Sequence, residues 1–284
     1  MTTSATSTGI EEHEIVSPKQ WIASRKELLR KEKEFTRLRD ELSRQRRELP
    51  WEKVEKEYVF DGLNGKETLS DLFAGKSQLI VYHFMFGPGW KEGCPSCSFV
   101  ADHVDGMLAH LAQRDVTLVM VSRAPLAEIE AFKKRMGWSF KWVSSYGTDF
   151  NTDYHVSFTP EQMAQGKVYY NYAMAEFPSD EAPGTSVFFK NGSGELFHTY
   201  SCYARGGDIF VGTYNYLDIV PKGRDEDALD FSMSWVRHHD RYNEGEFADP
   251  KKHSEPLKTL IQSCCAGEPP SHFDHPAPAS PGRC

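Results

Sequence analysis

The sequence predicts an α/β protein: a central mixed sheet flanked by helices, preceded by one long helix and followed by a disordered tail rich in Cys, His and Pro. Three observations carry this. From residue 58 onward, short runs dense in β-branched and aromatic residues, such as "QLIVYHFMF" and "VTLVMVS", alternate with segments of helical periodicity. An Asn191-Gly192-Ser193-Gly194 turn separates two further strand-like runs, as in a hairpin. Ahead of them all, Trp21, Leu28, Phe35, Leu42 and Leu49 recur every seventh position.

Residues 1–16 are rich in Ser, Thr, Gly and Glu and are expected to be disordered. Ser17-Pro18 joins an N-cap type to a proline at the first helical position, and the helix it opens runs to Leu49, where Pro50 stops it; residues 17–57 form this N-terminal unit. Ile22, Leu29 and Leu38 widen the apolar stripe, while eleven Lys/Arg and six Asp/Glu fill the other faces between 17 and 48. The stripe needs a partner surface. The body of the same chain is expected to supply it, with pairing to a second copy, a homodimer, as the alternative. Glu and Asp interrupt the positive face, which argues against a helix lying on a membrane.

Residues 58–242 form the body. "YVFDGLNGKETLSDLF" reads as a short strand, a turn at Asn64-Gly65 and a helical turn. "QLIVYHFMF" (78–86) is a continuous apolar run suited to a strand covered on both faces. After "CPSC" a helix is expected from about Pro95 to Gln113, then strand "VTLVMVS" (116–122), then a helix from Leu126 to Met136. Strands "TSVFFK" (185–190) and "GELFHTY" (194–200) make the hairpin, and a last helix is expected around Asp227 to Arg237. Residues 243–284 are the flexible tail.

Composition limits the function. With 284 residues, 39% hydrophobic and 26% charged, the chain supports one main domain with appendages. A net charge of -8 and a pI near 5.8 argue against a nucleic-acid surface. No segment approaches the ~18 apolar residues that span a bilayer, and the first residues show no export signal. Six cysteines, three of them in the last 21 residues, are too few for a secreted disulfide scaffold. A cytoplasmic, reducing location follows, where a C-x-x-C is catalytic or metal-binding more often than a structural bridge.

A strand, an aromatic loop, a C-x-x-C opening a helix, a βα unit and a hairpin follow the order of the thioredoxin fold. The stretch "FDGLNGKETLSDLFAGKSQLIVYHF" is similar to the opening of TlpA and AhpC/TSA proteins. More closely, "YHFMFGPGWKEGCPSC", "VSRAPL", "FKKRMGW", "FTPEQ", "FHTYSCYARG" and "LDIVPKGRDED" resemble the DUF899 family, classed as thioredoxin-like, over residues 11–242. The resemblance implies the fold and leaves the chemistry to the residues.

With Pro95 as the first helical residue, the Cys94 sulfur sits at a helix N-terminus, where free N–H groups favour a thiolate. Cys94 is then the nucleophile and Cys97, one turn later, the resolving thiol of a thiol–disulfide oxidoreductase. Metal ligation and inert thiols remain alternatives. The thioredoxin pattern places a buried acid near the position of His83, so the resemblance makes His83 a proton acceptor for Cys97. The same imidazole could join Cys94 and Cys97 as a ligand for copper or zinc, or be a hydrogen-bonded core residue. Gly184 stands where thioredoxins carry a cis-proline that keeps metals off the sulfurs, with Pro183 one residue early, which leaves the metal reading open. No cofactor is required in the main reading.

His103, His155 and His198 are further ligand types without an assigned place. His198, Tyr200 and Cys202 should share a strand face by the period of two, with Cys202 a small buried hydrophobe. A dedicated peroxidase is not indicated: Pro-x-x-x-Thr/Ser-x-x-Cys is absent, with Lys91 three residues before Cys94. A dinucleotide fold lacks its Gly-x-Gly-x-x-Gly. In the tail, Cys264, Cys265, His272, His275 and Cys284 could bind a soft metal, exchange disulfides with Cys94, or do neither.

Overall fold

The N-terminal helix is built by local chemistry. In α1 (Pro18–Glu48) the Ser17 hydroxyl accepts the Gln20 amide while the Gln20 side chain accepts the Ser17 amide, a reciprocal cap. Arg30 lies between Glu27 and Glu34, Arg44 between Glu41 and Glu48, and Arg25 reaches Glu32, so ion pairs run along the helix. No residue of α1 is buried. Trp21 is 59% exposed and Phe35 66%, so the expectation that the stripe packs on the body of its own chain is corrected. At the C-terminal end of the helix the Arg46 guanidinium lies 5.6 Å from the centre of the Tyr200 ring.

The computed structural model describes residues 13–229, 232–243 and 248. The predicted disorder of residues 1–12, and the tail with Cys264, Cys265, His272, His275 and Cys284, lie outside the described residues.

After β1 (Glu52–Lys53) come the hairpin strands β2 (Val59–Gly62) and β3 (Gly65–Thr68), then β4 (Gln78–His83). Helices α2 (Pro95–Ala101) and α3 (Leu108–Ala112) lead to β5 (Val116–Ser122), and α4 (Leu126–Arg135) leads to β6 (Trp142–Ser144). Next are α5 (Phe150–Asp153), α6 (Pro160–Ala164) and a separate small hairpin of β7 (Val168–Tyr170) and β8 (Ala173–Ala175). The chain returns through β9 (Gly184–Lys190) and β10 (Leu196–Tyr203) to α7 (Gly212–Leu217). The main sheet has the order β1-β10-β9-β4-β5-β6-β2-β3. β4, β5 and β6 are parallel, joined by helical crossovers, and β9 returns antiparallel beside β4 with β10 outside it. This is the thioredoxin-like arrangement that the sequence predicts, extended on both edges.

Both faces of the sheet are covered. Leu79, Val81, Val119, Val121 and Phe188 face one core, and Tyr82, Phe84, Met120 and Trp142 face the other, with α2 and α4. Fully burying such a side chain contributes about 1.5–3 kcal/mol, so the centre of β4 holds the fold from both sides. The alternation also sends Tyr82 and His83 to opposite faces.

Three expectations change. β6 is a strand that the sequence reading omits; it pairs with β5 from Met120↔Trp142 to Ser122↔Ser144. The helix expected over 95–113 is broken after Ala101, where the Asp102 carboxylate accepts the Trp138 indole N–H and Asp105 accepts the Ser139 amide. These tertiary bonds fix the chain away from helical continuation. No helix forms in the described part of 227–237; Glu226 instead gathers the Tyr214 hydroxyl, the Met233 amide and the Trp235 indole N–H, and the chain turns around it.

Candidate active site

The segment after β4 folds back on itself through Met85. Its carbonyl accepts the Cys94 amide at 3.0 Å, and its own amide points at the Cys97 sulfur at 3.5 Å. Gly93 is required just before the motif, because a Cβ there would lie 2.6 Å from the Phe84 ring and 2.8 Å from Phe132. Cys94 is the N-cap of α2 and Pro95 opens the helix, as predicted. Neither cysteine is in a disulfide, and both are 1% exposed. The two sulfurs are in hydrogen-bond contact, and the Tyr82 hydroxyl donates to Cys97. Burial, reinforced by Cys94, raises the Cys97 pKa, while the Tyr82 hydroxyl and the Met85 amide pull it down.

Cys97 opens on a cavity of about 640 Å³. Tyr82, Ser96, Val100 and Tyr214 line it from the core side, and Pro183, Gly184, Thr185 and Cys202 line it from β9 and β10. Tyr82 pairs with Thr185, and Thr185 with Cys202, so the three lie side by side across β4, β9 and β10. Gly184 has no room for a side chain: a Cβ would stand 2.7 Å from the Tyr203 ring. Cys202 is buried, as expected, and bonds with Tyr200 and Thr185.

His83 is 1% exposed and lies on the other face of the sheet, against Phe150 and Tyr154 with ring centroids 5.6 and 5.9 Å away. Its Nε2 is 2.9 Å from Ser186 Oγ, which is 2.8 Å from Ser201 Oγ, which is 2.7 Å from His198 Nε2; His198 Nδ1 then meets Glu52 at 3.3 Å. The direction of this chain follows from its ends. His83 Nδ1 is buried with no partner, and a bare lone pair there costs less than an orphaned N–H. His83 therefore donates from Nε2 to Ser186, Ser186 to Ser201, Ser201 to His198, and His198 from Nδ1 to Glu52. Burial pushes the His83 pKa down to about 3, with His198 adding to the fall, so the ring is neutral.

His198 shares a face with Ser201, not with Tyr200 and Cys202 as the period of two suggested. A β-bulge shifts the register between His198 and Tyr200, so Thr199 is the extra residue. His103 bonds Thr213, and His155 packs on Tyr169, so neither is at the cysteine pair.

The family described as "Bacterial protein of unknown function (DUF899)" matches residues 10–242. The chain belongs to the DUF899 family. No curated protein matches it. Among solved structures this DUF899 protein is similar to a Xylella fastidiosa PrxQ mutant, with 12% identity over 58% of this chain and 94% of that one and a TM-score of 0.38. Xanthomonas campestris peroxiredoxin Q gives 13% identity over 59% and 98% with a TM-score of 0.39. A putative thiol:disulfide interchange protein DsbE from Chlorobium tepidum gives 14% over 53% and 86% with a TM-score of 0.34.

The trio of Cys94, Cys97 and His83 that copper or zinc would need is not assembled in this DUF899 protein. Among the described residues no group of three or more His, Cys, Asp or Glu is placed to hold a metal ion. No helix among them is long and apolar enough to cross a membrane. The sequence reading missed Tyr82, though the alternation along β4 carried the signal: the residue beside His83 must face the other way.

Glu181 is a second buried group, 1% exposed, under the loop that leads to Cys94. It bonds Arg123 and Ser157, and a Cβ on Gly87 would meet it at 3.3 Å. Burial outweighs these partners and raises its pKa to about 7.

Proposed function

We propose that this DUF899 protein is a thiol–disulfide oxidoreductase with Cys94 and Cys97 as its redox pair, acting in a reducing, cytoplasmic setting on a thiol or disulfide substrate. The observation that supports it most is the contact between the two sulfurs, one helical turn apart, beside a cavity that reaches Cys97.

One sulfur of the pair, as thiolate, attacks a substrate disulfide; a new S–S bond forms, the substrate S–S bond breaks, and the departing thiolate takes a proton. The second sulfur attacks the mixed disulfide and releases the other half of the substrate as a thiol. The protein loses two electrons to the substrate and keeps a Cys94–Cys97 disulfide. A thiol or dithiol reductant reverses the sequence. Tyr82 and the Met85 amide lessen the cost of negative charge on Cys97 that burial and Cys94 impose. Their polarity fits that task, since each presents a hydrogen to the sulfur.

Equilibrating the protein in thiol/disulfide buffers of graded ratio tests the reading. A reversible two-electron transition is expected, lost in Cys94→Ser and in Cys97→Ser and kept in Cys202→Ser. A transition that survives loss of Cys94 or Cys97 would reject the pair.

A further inference from the structure

We infer that the cavity beside Cys97 receives a small neutral or cationic disulfide, and that Cys97 rather than Cys94 is the sulfur that meets it. This rests on the Cys94–Cys97 redox pair proposed above.

Access decides the order. Ser96 and Cys97 line the cavity, whereas Cys94 does not. Both sulfurs belong to the same buried core and are equally buried, with the Cys94 amide tied back to Met85, so the lining of the cavity is what separates them. A substrate arriving by this route touches Cys97 first. The two donors to Cys97, the Tyr82 hydroxyl and the Met85 amide, offset part of the rise in its pKa that burial and Cys94 cause, and so favour the thiolate there once it forms.

Size and charge decide the substrate. A volume of about 640 Å³ falls within the ~300–1,000 Å³ of small-molecule sites, and the inner wall of Tyr82, Val100, Val211 and Tyr214 is apolar with one hydroxyl at the sulfur. The outer wall, residues 205–227, carries the charges. Asp208, Asp218, Asp225, Glu226 and Asp227 face three cations there, Arg205, Lys222 and Arg224, which leaves two net negative charges among the described lining residues. Arg224 is further committed to Asp218 and Asp208 and lies 3.9 Å from the centre of the Tyr214 ring. An anionic disulfide is repelled at this mouth and a cationic one attracted.

The electrons balance as follows. The Cys97 thiolate bonds to one sulfur of R–S–S–R, and R–S⁻ leaves and takes up a proton. Cys94 loses its proton and attacks the Cys97 sulfur, which expels the second R–S⁻. The substrate gains two electrons and two protons, and the protein forms one disulfide.

The test uses the reduced full-length chain with three probes: cystamine, which is dicationic, bis(2-hydroxyethyl) disulfide, which is neutral, and glutathione disulfide, which is anionic. In Cys94→Ser, and in Cys94→Ala should the buried serine disturb folding, the neutral probe is expected to leave a stable mixed disulfide on Cys97, read by peptide mass. Cys97→Ser should collect none on Cys94. Each rate is divided by the same probe's rate with a free thiol; on this scale cystamine should exceed glutathione disulfide by roughly 10-fold or more at low salt. High salt, and the exposed-mouth variant Asp225→Asn with Asp227→Asn, should narrow the ratio. An adduct on Cys94 alone overturns the order of attack, and equal scaled rates overturn the charge selection. If no probe removes two thiols from the wild type, the redox pair itself fails, which is a separate result.

Discussion

Tyr82 and His83 are consecutive in β4 and serve opposite faces of the sheet: the Tyr82 hydroxyl donates to the Cys97 sulfur, while His83 Nε2 is bonded to Ser186 at 2.9 Å. The residue type that the sequence suggests for proton transfer is therefore turned away from the thiols, and a phenol takes its place. A neutral phenol is a poor proton acceptor, so under the proposed function Tyr82 is expected to act by donating a hydrogen bond to negative sulfur and not by removing a proton.

Tyr82→Phe tests that role, since it keeps the ring in the core and removes only the hydroxyl. A hydrogen bond to a charged group contributes about 1.5–3 kcal/mol, so exchange should slow by roughly 10- to 100-fold at neutral pH. The sign is fixed: without the donor, the Cys97 pKa rises further, and the pH–rate profile moves to higher pH. An unchanged profile would remove Tyr82 from the mechanism.

For His83→Ala the expectation is structural. The substitution leaves a cavity and strips Ser186 of its donor, which should cost about 2–4 kcal/mol and lower the Tm. Exchange per folded molecule should stay near wild type. A loss of 10²- to 10⁴-fold in exchange would instead restore the proton-acceptor role that the sequence assigned to this residue.

The exposed stripe of α1 is expected to pair with a second copy, and charge fixes the direction. With Trp21, Leu28, Phe35, Leu42 and Leu49 at one heptad position, Glu27, Glu34 and Glu41 flank one side and Arg25, Glu32, Arg39 and Arg46 the other. Two parallel helices set Glu34 against Arg39 and Glu41 against Arg46, with Glu27 against Glu32 as the unfavourable pair. Antiparallel helices set Glu27 against Glu41 and Glu34 against its own copy. A parallel dimer follows, and sedimentation should show it for the full chain but not for Leu28→Glu with Phe35→Glu. A monomeric wild type at high micromolar concentration would contradict this.

Glu181 makes stability depend on pH in a definite window. Its folded pKa, about 7, lies above the ordinary 4.5, so its contribution is complete below pH 4.5 and is lost as pH rises through 7. The shift corresponds to about 3 kcal/mol. Urea midpoints should fall across this window in the wild type and fall less in Glu181→Gln; identical slopes in the two proteins would show that Arg123 and Ser157 keep the carboxylate ionised.

Much of this architecture was legible before the fold. Ser17-Pro18 and Pro50 bracket α1, the apolar runs locate β4 and β5, and the Asn191–Gly194 turn joins β9 to β10. These signals are local: caps, alternation and turn chemistry act within a few residues. What escaped depends on distant partners. β6 is three residues long and exists because β5 and β2 pair with it; α2 ends where Trp138 and Ser139 claim Asp102 and Asp105. At the site, the Cys94–Cys97 spacing was plain, but the facing of His83 and the bulge at Thr199 are properties of the assembled sheet.

The most direct measurement of the central claim is intact mass with peptide mapping of the full chain, fully reduced and then treated with a mild oxidant. The account predicts a loss of 2 Da per disulfide, with the first disulfide linking Cys94 and Cys97 in one peptide while Cys202 stays reduced. A first disulfide between any other pair, or no disulfide while both Cys94 and Cys97 remain free thiols, would contradict it.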